Sequence, residues 1–319
     1  MRSLLVILFF AVLPVHAQDA YPSRPVRLVL PFPAGGPLDL MARMTAQKLS
    51  EQWGRPVVAE NVAGGSGSIG ANQVARAAPD GYTVLLTVDI PLTMYPAVAK
   101  NLPYDPRTAF RPVASLARTA NGLFVNPKVN AASTQELVAL AKSQPGKLTF
   151  SSAGIAAPAH FAAELFKVIA GIDMTHVPYK GAAPAMTAAV AGEVDLMFGP
   201  IPQGAPQVKA GKLRAFGLTG TEASPLLPGV KPLVEQGFSG LVVENFYPVM
   251  LPARTPDNVA ATLGAGLRKA YEDPDLRAKL EGAGIPPQWE GPEQVARNID
   301  ADIKRWSELA KRAKIEPPQ

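Results

Sequence analysis

The 319-residue chain contains no cysteine and only three histidines, and these shortages exclude several kinds of site. A chain without cysteine has no disulfide framework, thiolate nucleophile or cysteine-ligated metal, and no cysteine for lipid attachment. His16 lies in the leader predicted below, so only His160 and His176 remain in the mature protein. Two histidines do not make a histidine-rich metal site, and we expect neither a metal nor a cofactor.

Long apolar runs are missing as well, apart from one block at the start of the chain. Leu4–Leu13 is apolar but shorter than the roughly 20 residues that a bilayer-spanning helix needs. Arg2 precedes this block, and the small residues of Val15–Ala17 follow it where a signal peptidase reads. We therefore predict a signal peptide over residues 1–17 and an exported mature protein, in preference to an N-terminal membrane anchor.

Charged side chains are sparse and dispersed. They make up 18% of the chain, and the formal net charge is +5 at pH 7. Nucleic-acid binding usually needs a clustered basic face, so we expect no nucleic-acid partner. Apolar residues make up 47% of the chain, enough for a sizeable core, and the length suits two domains. The glycines and prolines are scattered, which indicates many ordered turns.

Short apolar runs alternate with amphipathic stretches, a pattern typical of an α/β fold with mostly parallel strands. The first run, Val26–Leu30, is predicted to be a buried strand, and the helix after it is predicted to end at Gly54. A second lobe is predicted to begin near Gly122, with a strand at Leu123–Asn126. Because open α/β sheets bind ligands at the carboxyl ends of their strands, the loops after predicted strands are the candidate binding loops.

The first candidate loop follows Val26–Leu30 and contains two adjacent glycines. Glycine lets the backbone approach a ligand without an intervening side chain. The helix that begins after this loop offers free N–H groups and a partial positive charge, which favour an anion. A plain strand-to-helix turn has the same sequence features, so both interpretations stay open at this point. The candidate ligand-binding residues of this loop are Phe32, Pro33, Ala34, Gly35, Gly36 and Asp39.

The second loop, Gly64–Gly70, supports a competing function. Gly65, Gly67 and Gly70 match the dinucleotide-binding fingerprint, and Asp89 follows at about the expected distance. The alternative to a binding protein is therefore an exported NAD-dependent oxidoreductase. That fingerprint normally follows the first strand of its fold, however, and here the loop follows the second. A glycine-rich helix entry also serves any small anion, so Gly67 is a candidate ligand-binding residue.

Two further segments offer polar side chains. The third loop, Thr87–Pro91, contributes a hydroxyl group through Thr87 and a carboxylate through Asp89. In a binding cleft Asp89 would repel a second carboxylate or welcome an ammonium or hydroxyl group, whereas in a structural role it would cap the next turn. Lys180 and Gly181 follow a later predicted strand, and Lys180 could bring a cation to the cleft.

The fourth loop precedes another predicted helix and forms a further set of potential backbone donors. Its candidate residues are Ser152, Ala153, Gly154 and, as a possible donor to a carboxylate, His160. A lone histidine does not indicate catalysis, because the sequence fixes no nucleophile or orienting acid near it. We therefore expect no enzyme and no catalytic residue.

Six segments of the chain, in their order and spacing, resemble a known family. They are Tyr21–Arg27, Pro31–Gly36, Pro79–Tyr82, Leu102–Pro106, His176–Gly181 and Val208–Ala215. The family is that of the extracytoplasmic solute receptors of tripartite tricarboxylate transporters, often called Bug receptors. The resemblance extends over nearly the whole mature chain, from Tyr21 to about Ile315.

The resemblance implies a type II periplasmic binding-protein fold, in which two α/β lobes close like a hinged clamp on a ligand in the cleft between them. It implies a small organic carboxylate as the ligand: a di- or tricarboxylate, an acidic amino acid or an aromatic acid. The loops Phe32–Gly36 and Ser152–Gly154 match the positions that hold a carboxylate in the family. Pro37, Ser66 and Ser68 depart from the residues common in the family, which leaves the ligand's identity open.

We expect a monomeric periplasmic receptor that serves the membrane subunits of such a transporter, with sensing as an alternative role. Lobe 1 is expected to comprise residues 21–122 and 244–319, and lobe 2 residues 123–243. One lobe is thus expected to be inserted in the other, with chain crossings near residues 122 and 244.

Overall fold

The computed structural model describes residues 21–316, so the predicted signal peptide, residues 1–17, lies outside the described residues. The strands of the described part are β1 Val26–Leu30, β2 Val57–Asn61, β3 Thr83–Leu86, β4 Phe110–Val125, β5 Thr149–Ser152, β6 Thr175–Pro178, β7 Leu196–Pro200, β8 Arg214–Leu218, β9 Glu244–Pro252 and β10 Pro287–Glu290. Its α-helices are α1 Pro37–Trp53, α2 Ser68–Ala75, α3 Thr134–Ser143, α4 Pro158–Ala170, α5 Ala182–Ala191, α6 Ile201–Lys209, α7 Asp257–Glu272, α8 Pro274–Gly282 and α9 Pro292–Ala313.

The first strand–helix unit forms where the sequence predicts it. β1 occupies Val26–Leu30, and its apolar run is almost entirely buried. Pro37 begins α1, where a proline loses no intrahelical hydrogen bond because the first-turn N–H groups have no acceptor within the helix. The helix ends before Gly54, which adopts a φ of 59° and donates its N–H to the carbonyl of Ser50.

The strands form two sheets that share β4. The first sheet has the order β2-β1-β3-β9-β4, in which β1 is parallel to both neighbours and β9 is antiparallel to β3 and β4. In the second sheet β4 continues into the order β4-β7-β5-β6, and β5 is parallel to both of its neighbours. β8 and β10 both pair antiparallel with β4. The result is the two-lobed α/β architecture that the sequence predicts. The predicted predominance of parallel strands is wrong, because five of the nine strand pairings in the described residues are antiparallel.

β4 is much longer than the strand predicted at this place. The sequence predicts a strand only from Leu123, and this is wrong, because β4 begins at Phe110. The first part of the strand mixes polar and apolar residues, and Pro112 cannot donate a hydrogen bond to a neighbouring strand. Register shifts against β9, between Pro112 and Ala114 and again before Arg118, accommodate this irregular sequence. β4 thereby carries the chain from one sheet into the other.

Hydrophobic cores lie against both sheets, and α9 contributes to each. Ile299 in the first half of α9 packs with Val29 of β1 in a core of the first sheet. Trp306 and Leu309, nearer the end of α9, belong to the core of the second sheet together with Phe150 of β5. The last helix therefore packs against both lobes. Within residues 21–316, no helix has the length and apolar character needed to cross a bilayer.

Candidate functional site

A cavity of about 530 Å³ lies between the two sheets, beside β4, which both sheets share, and its neighbour β9. Its walls include the loops after β1, β3 and β5, the carboxyl end of β7 and the starts of α5 and α6. Phe32 and Leu38 represent the first lobe, and the segment Ala153–Ala159 represents the second. This is the position at which open α/β sheets bind their ligands.

None of the described side chains that line the cavity carries a formal charge. The wall is largely apolar, with Val88 and Ile90 from one lobe and Ile155, Met197 and Phe198 from the other. A charged ligand in this cavity therefore depends on main-chain groups and neutral polar side chains, because burial away from water is costly for a charge without partners.

Four helices begin at the cavity without a side-chain cap. The first residues of α1, α4 and α5, which are Pro37, Pro158 and Ala182, line the cavity, as does Pro202 of α6. The residue that precedes each of these helices accepts no hydrogen bond from the first turn through its side chain. In α3, by contrast, Ser133 provides such a cap. Uncapped N–H groups and the positive end of the helix dipole make these helix starts suitable for an anion.

Most of the first predicted loop lies beside the cavity. Of its candidate residues only Phe32 lines the wall. The carboxylate of Asp39 accepts a hydrogen bond from Gly35 N–H at 3.1 Å and pairs with Arg43 at 2.9 Å, which lowers the pKa of Asp39. This ion pair stabilises the loop. The candidate residues of this loop that do not line the cavity are Pro33, Ala34, Gly35, Gly36 and Asp39.

The glycine-rich second loop supports the wall by close packing. Gly67 is buried with a φ of 88°, and a Cβ atom there would lie 3.1 Å from the ring of Phe32. A Cβ atom at Gly70 would lie 2.8 Å from the carbonyl oxygen of Val62. These glycines therefore let the loop approach its neighbours. Ser66, just before Gly67, lines the cavity, whereas Gly67 itself does not.

Both candidates of the third loop are buried behind the cavity wall. The hydroxyl of Thr87 donates to the carbonyl of Val88 at 2.6 Å. Asp89 is fully buried, its Oδ2 accepts from the hydroxyl of Thr93 at 3.2 Å, and its Oδ1 has no partner among the described residues. Burial raises the pKa of Asp89 well above its ordinary value, and the nearby carboxylate of Asp302 adds to the rise. Neither candidate lines the cavity.

A hydrogen-bonded serine shapes the fourth loop. Ala153 and Gly154 line the cavity, whereas Ser152 is buried behind them. The Ser152 hydroxyl donates to the carbonyl of Gly154 at 2.9 Å and accepts from Gly154 N–H at 3.2 Å. Nε2 of His176 lies 2.6 Å from the same hydroxyl and can act as its donor. The serine thus determines how Gly154 is presented to the cavity.

His160 also lies behind this loop and does not line the cavity. Its Nδ1 accepts a hydrogen bond from Ala156 N–H at 3.2 Å, and its ring stacks on His176 with a centroid distance of 3.9 Å. Burial lowers the pKa of His160 to about 3 and that of His176 to about 4, so both rings are neutral at pH 7. Ala156 lines the cavity with a φ of 62°, and the bond to His160 stabilises this uncommon conformation.

The two remaining candidates, Lys180 and Gly181, differ in position relative to the cavity. Lys180 is exposed and outside the cavity wall, whereas Gly181 lines the cavity as the residue before α5. The ligand-binding roles of all these residues stay predictions.

The sequence analysis missed four polar residues that line one side of the cavity, here called the floor. They are Thr119 and Asn121 of β4 with Asn245 and Tyr247 of β9. Thr119 and Asn121 were missed because their strand was predicted to start only at Leu123. The signal that could have found them is the period of two within each pair, which places both side chains on one face of a strand.

A comparison of the sequence with known families assigns the chain to a family. The profile of the tripartite tricarboxylate transporter family receptor matches residues 41–315. The chain belongs to this receptor family. Members of this family are solute-binding receptors, which are not enzymes.

Known proteins resemble this receptor over nearly its whole length. BugT from Bordetella pertussis (strain Tohama I) is 32% identical over 295 residues, which cover 92% of this chain and 90% of BugT. The solved structure of R. palustris Rpa4515 with adipate has a TM-score of 0.83 and 32% identity, covering 93% of this chain and 100% of that chain. MatC from Rhodopseudomonas palustris with bound malate has a TM-score of 0.79 and 29% identity, covering 91% of this chain and 99% of MatC. These findings confirm the predicted family and the periplasmic binding-protein fold.

Proposed function

We propose that the protein is a periplasmic receptor that binds a small organic carboxylate in the cavity and presents it to the membrane subunits of a tripartite tricarboxylate transporter. The observation that carries this proposal is an uncharged cavity at which four uncapped helices begin. Main-chain N–H groups and helix dipoles hold an anion without a fixed counter-charge. The two solved relatives described with adipate and malate support a carboxylate ligand.

The expected interaction energies are sufficient for a transport receptor. A hydrogen bond from a neutral donor to a charged group contributes roughly 1.5–3 kcal/mol net. About four or five such bonds, less the free energy lost in ordering the ligand and loops, give about 8 kcal/mol, which corresponds to a micromolar dissociation constant. Such a site binds and releases its ligand unchanged.

The proposal includes closure of two lobes around the ligand. Lobe 1 comprises residues 21–122 and 244–319, and lobe 2 comprises residues 123–243. The receptor acts as a monomer, exported by a signal peptide over residues 1–17. The closed, ligand-bound form is the one that the membrane subunits recognise.

Thermal unfolding of the purified protein with a panel of organic acids tests the proposal. A ligand that binds only the folded state raises the free energy of unfolding, by about 2.7 kcal/mol when its concentration is 100 times the dissociation constant. The unfolding temperature rises as a result. We expect at least one small carboxylate to stabilise the protein in this way, and isothermal titration calorimetry then gives its affinity.

NAD serves as the contrasting ligand in the same assay, because the glycine-rich loop Gly64–Gly70 matches a dinucleotide fingerprint. We expect no stabilisation by NAD. Stabilisation by NAD together with no response to any acid would reject the receptor proposal in favour of an oxidoreductase.

A further inference from the structure

The floor of the cavity presents neutral polar groups on one face of the paired strands β4 and β9. Thr119 of β4 pairs with Asn245 of β9 in the antiparallel register. Because side chains alternate along a strand, Asn121 shares the face of Thr119, and Tyr247 shares the face of Asn245. All four residues line the cavity, and the hydroxyls of Thr119 and Tyr247 lie 3.3 Å apart.

The charged residues of the same two strands serve another surface. Arg118 and Glu244 lie 3.7 Å apart and line an adjoining cavity, which shares Thr119, Ala120 and Gly284 with the first but whose charged residues do not line the first. The alternation of the strands thus keeps formal charge off the floor while it places two carboxamides there.

The two carboxamides on the floor have unsatisfied hydrogen-bonding groups. Asn121 is only 4% exposed, and its Nδ2 has no partner among the described residues. Its main-chain groups are already used, since its N–H donates to the Thr219 hydroxyl at 2.9 Å and its carbonyl accepts from Thr219 N–H. Oδ1 of Asn245 is buried and equally without a partner. A buried polar atom without a partner costs about 1–3 kcal/mol, which a bound ligand group can recover.

The region behind the floor disfavours a second anion. Four carboxyl groups cluster there with two guanidinium groups: Asp89, Glu244, Glu290 and Asp302 with Arg118 and Arg305. Arg118 is already paired with Glu290 at 2.7 Å, and no described cationic side chain lines the cavity. A carboxylate on the floor would therefore lack a free counter-charge, whereas a neutral group needs none.

We propose that the floor recognises a neutral group that both donates and accepts a hydrogen bond, a hydroxyl or a carboxamide, on the part of the ligand remote from its carboxylate. This inference rests on the proposed function, because the carboxylate is assigned to the helix starts. The largely apolar remainder of the lining fits an apolar ligand body. The ligand class is therefore a monocarboxylic acid with an apolar body and a distal hydroxyl or amide.

Two matched series of acids test the inference by isothermal titration calorimetry. The aliphatic series is hexanoate, 6-hydroxyhexanoate and adipate, and the aromatic series is benzoate, 4-hydroxybenzoate and terephthalate. The aliphatic acids share a six-carbon chain whose distal end is a methyl, hydroxymethyl or carboxylate group. The aromatic acids share a benzoate ring that carries hydrogen, hydroxyl or carboxylate at position 4. We expect the hydroxy acid of at least one series to bind about tenfold or more tightly than both of its partners, since one satisfied buried hydrogen bond has this size.

Variants of the floor show whether the two carboxamides cause the preference. In Asn121→Leu and Asn245→Leu, the ratio of the affinities for the hydroxy acid and the unsubstituted acid should fall towards one. Asn72→Leu is the matched control, because Asn72 on α2 also has a buried Oδ1 without a described partner but does not line the cavity. That control should keep the wild-type ratio, and circular dichroism verifies that each variant is folded.

The outcomes separate this inference from the proposed function. Tightest binding of the dicarboxylate or of the unsubstituted acid in both series overturns the neutral-group assignment and leaves the carboxylate receptor standing. Binding of other acids but none of these six has the same consequence. A preference that persists in both floor variants also overturns the assignment. Failure of every acid in a broad screen rejects the proposed function itself.

Discussion

At the residue scale, the two stacked histidines behind the β5–α4 loop couple the stability of the protein to pH. The neutral ring of His160 accepts from Ala156 N–H, and the groups around it are His176, Glu164 and Lys167. Folding lowers the pKa of His160 from 6.5 to about 3, because the buried ring resists protonation. Below pH 6.5 the unfolded chain takes up a proton on this histidine that the folded protein does not. The free energy of unfolding therefore decreases as the pH falls from 6.5 towards 3.

His160→Asn tests this coupling, since the Asn side chain keeps an acceptor near the position of Nδ1 without a titratable ring. We expect the free energy of unfolding in urea to fall more steeply in the wild type than in His160→Asn as the pH is lowered from about 7 to about 4. The carboxylates titrate in both proteins, so the difference isolates the histidine. Parallel pH profiles would show that the ring has no such role.

Gly154 is the glycine at which a side chain should affect binding most directly. It lines the cavity with a φ of 130°, a conformation that residues with a side chain rarely adopt. We expect Gly154→Val to lower ligand affinity at least tenfold, because the loop must change its conformation and with it the shape of the cavity wall. Gly229→Val is the matched control, with a φ of 82°, nothing within 4 Å of the new Cβ and a position outside the cavity wall.

Both variants should lose stability through backbone strain, so the comparison separates strain from binding. Calorimetric titration with the best ligand measures the affinities. Equal affinities in the two variants would remove Gly154 from the site.

At the element scale, adding the missing side-chain cap of α4 should raise the stability of the protein and lower its affinity for the ligand. Ala157 precedes α4 in an extended conformation that suits a capping residue. We expect Ala157→Asp to raise the free energy of unfolding by about 1 kcal/mol, because its carboxylate would accept from the first-turn N–H groups. The same carboxylate would occupy these donors and repel the ligand, so affinity for an organic acid should fall at least tenfold.

Ala157→Asn separates the two causes, because its side chain caps the helix without adding a charge. We expect a gain in stability close to that of Ala157→Asp but a smaller loss of affinity, measured by urea unfolding and calorimetry. Unchanged affinity in both variants would mean that the start of α4 holds no part of the ligand.

The elements also differ in how well their own sequences predict them. The start of α3 follows from its own sequence, because Ser133 and Glu136 lie within one turn and the hydroxyl of Ser133 accepts from Glu136 N–H. α6 was not predicted, since Pro206 lies inside it and a proline normally interrupts a helix. The first part of β4 depends on pairing with β9, a partner far along the chain, and its own residues give no continuous strand signal.

At the scale of the whole molecule, the proposed closure should make the protein more compact. β4 belongs to both sheets and pairs with β9 in the first, and such a shared strand allows one lobe to rotate against the other. We expect the radius of gyration from small-angle X-ray scattering to decrease when a saturating acid is added. Gly154→Val at the same acid concentration should show no decrease, because it binds too weakly. A wild-type radius that stays constant at saturation would contradict closure.

The sequence by itself determined the features that neighbouring residues decide. Glycines end helices and shape the binding loops, alternating patterns give the α/β class, and six ordered segments identify the receptor family. Only the tertiary structure decided which residues meet: His160 stacks on His176, and Asp89 lies buried. Likewise Asn121 and Asn245 face one cavity from different strands. The physical reason is that burial and pairing depend on strands distant along the chain, which local propensity and periodicity do not record.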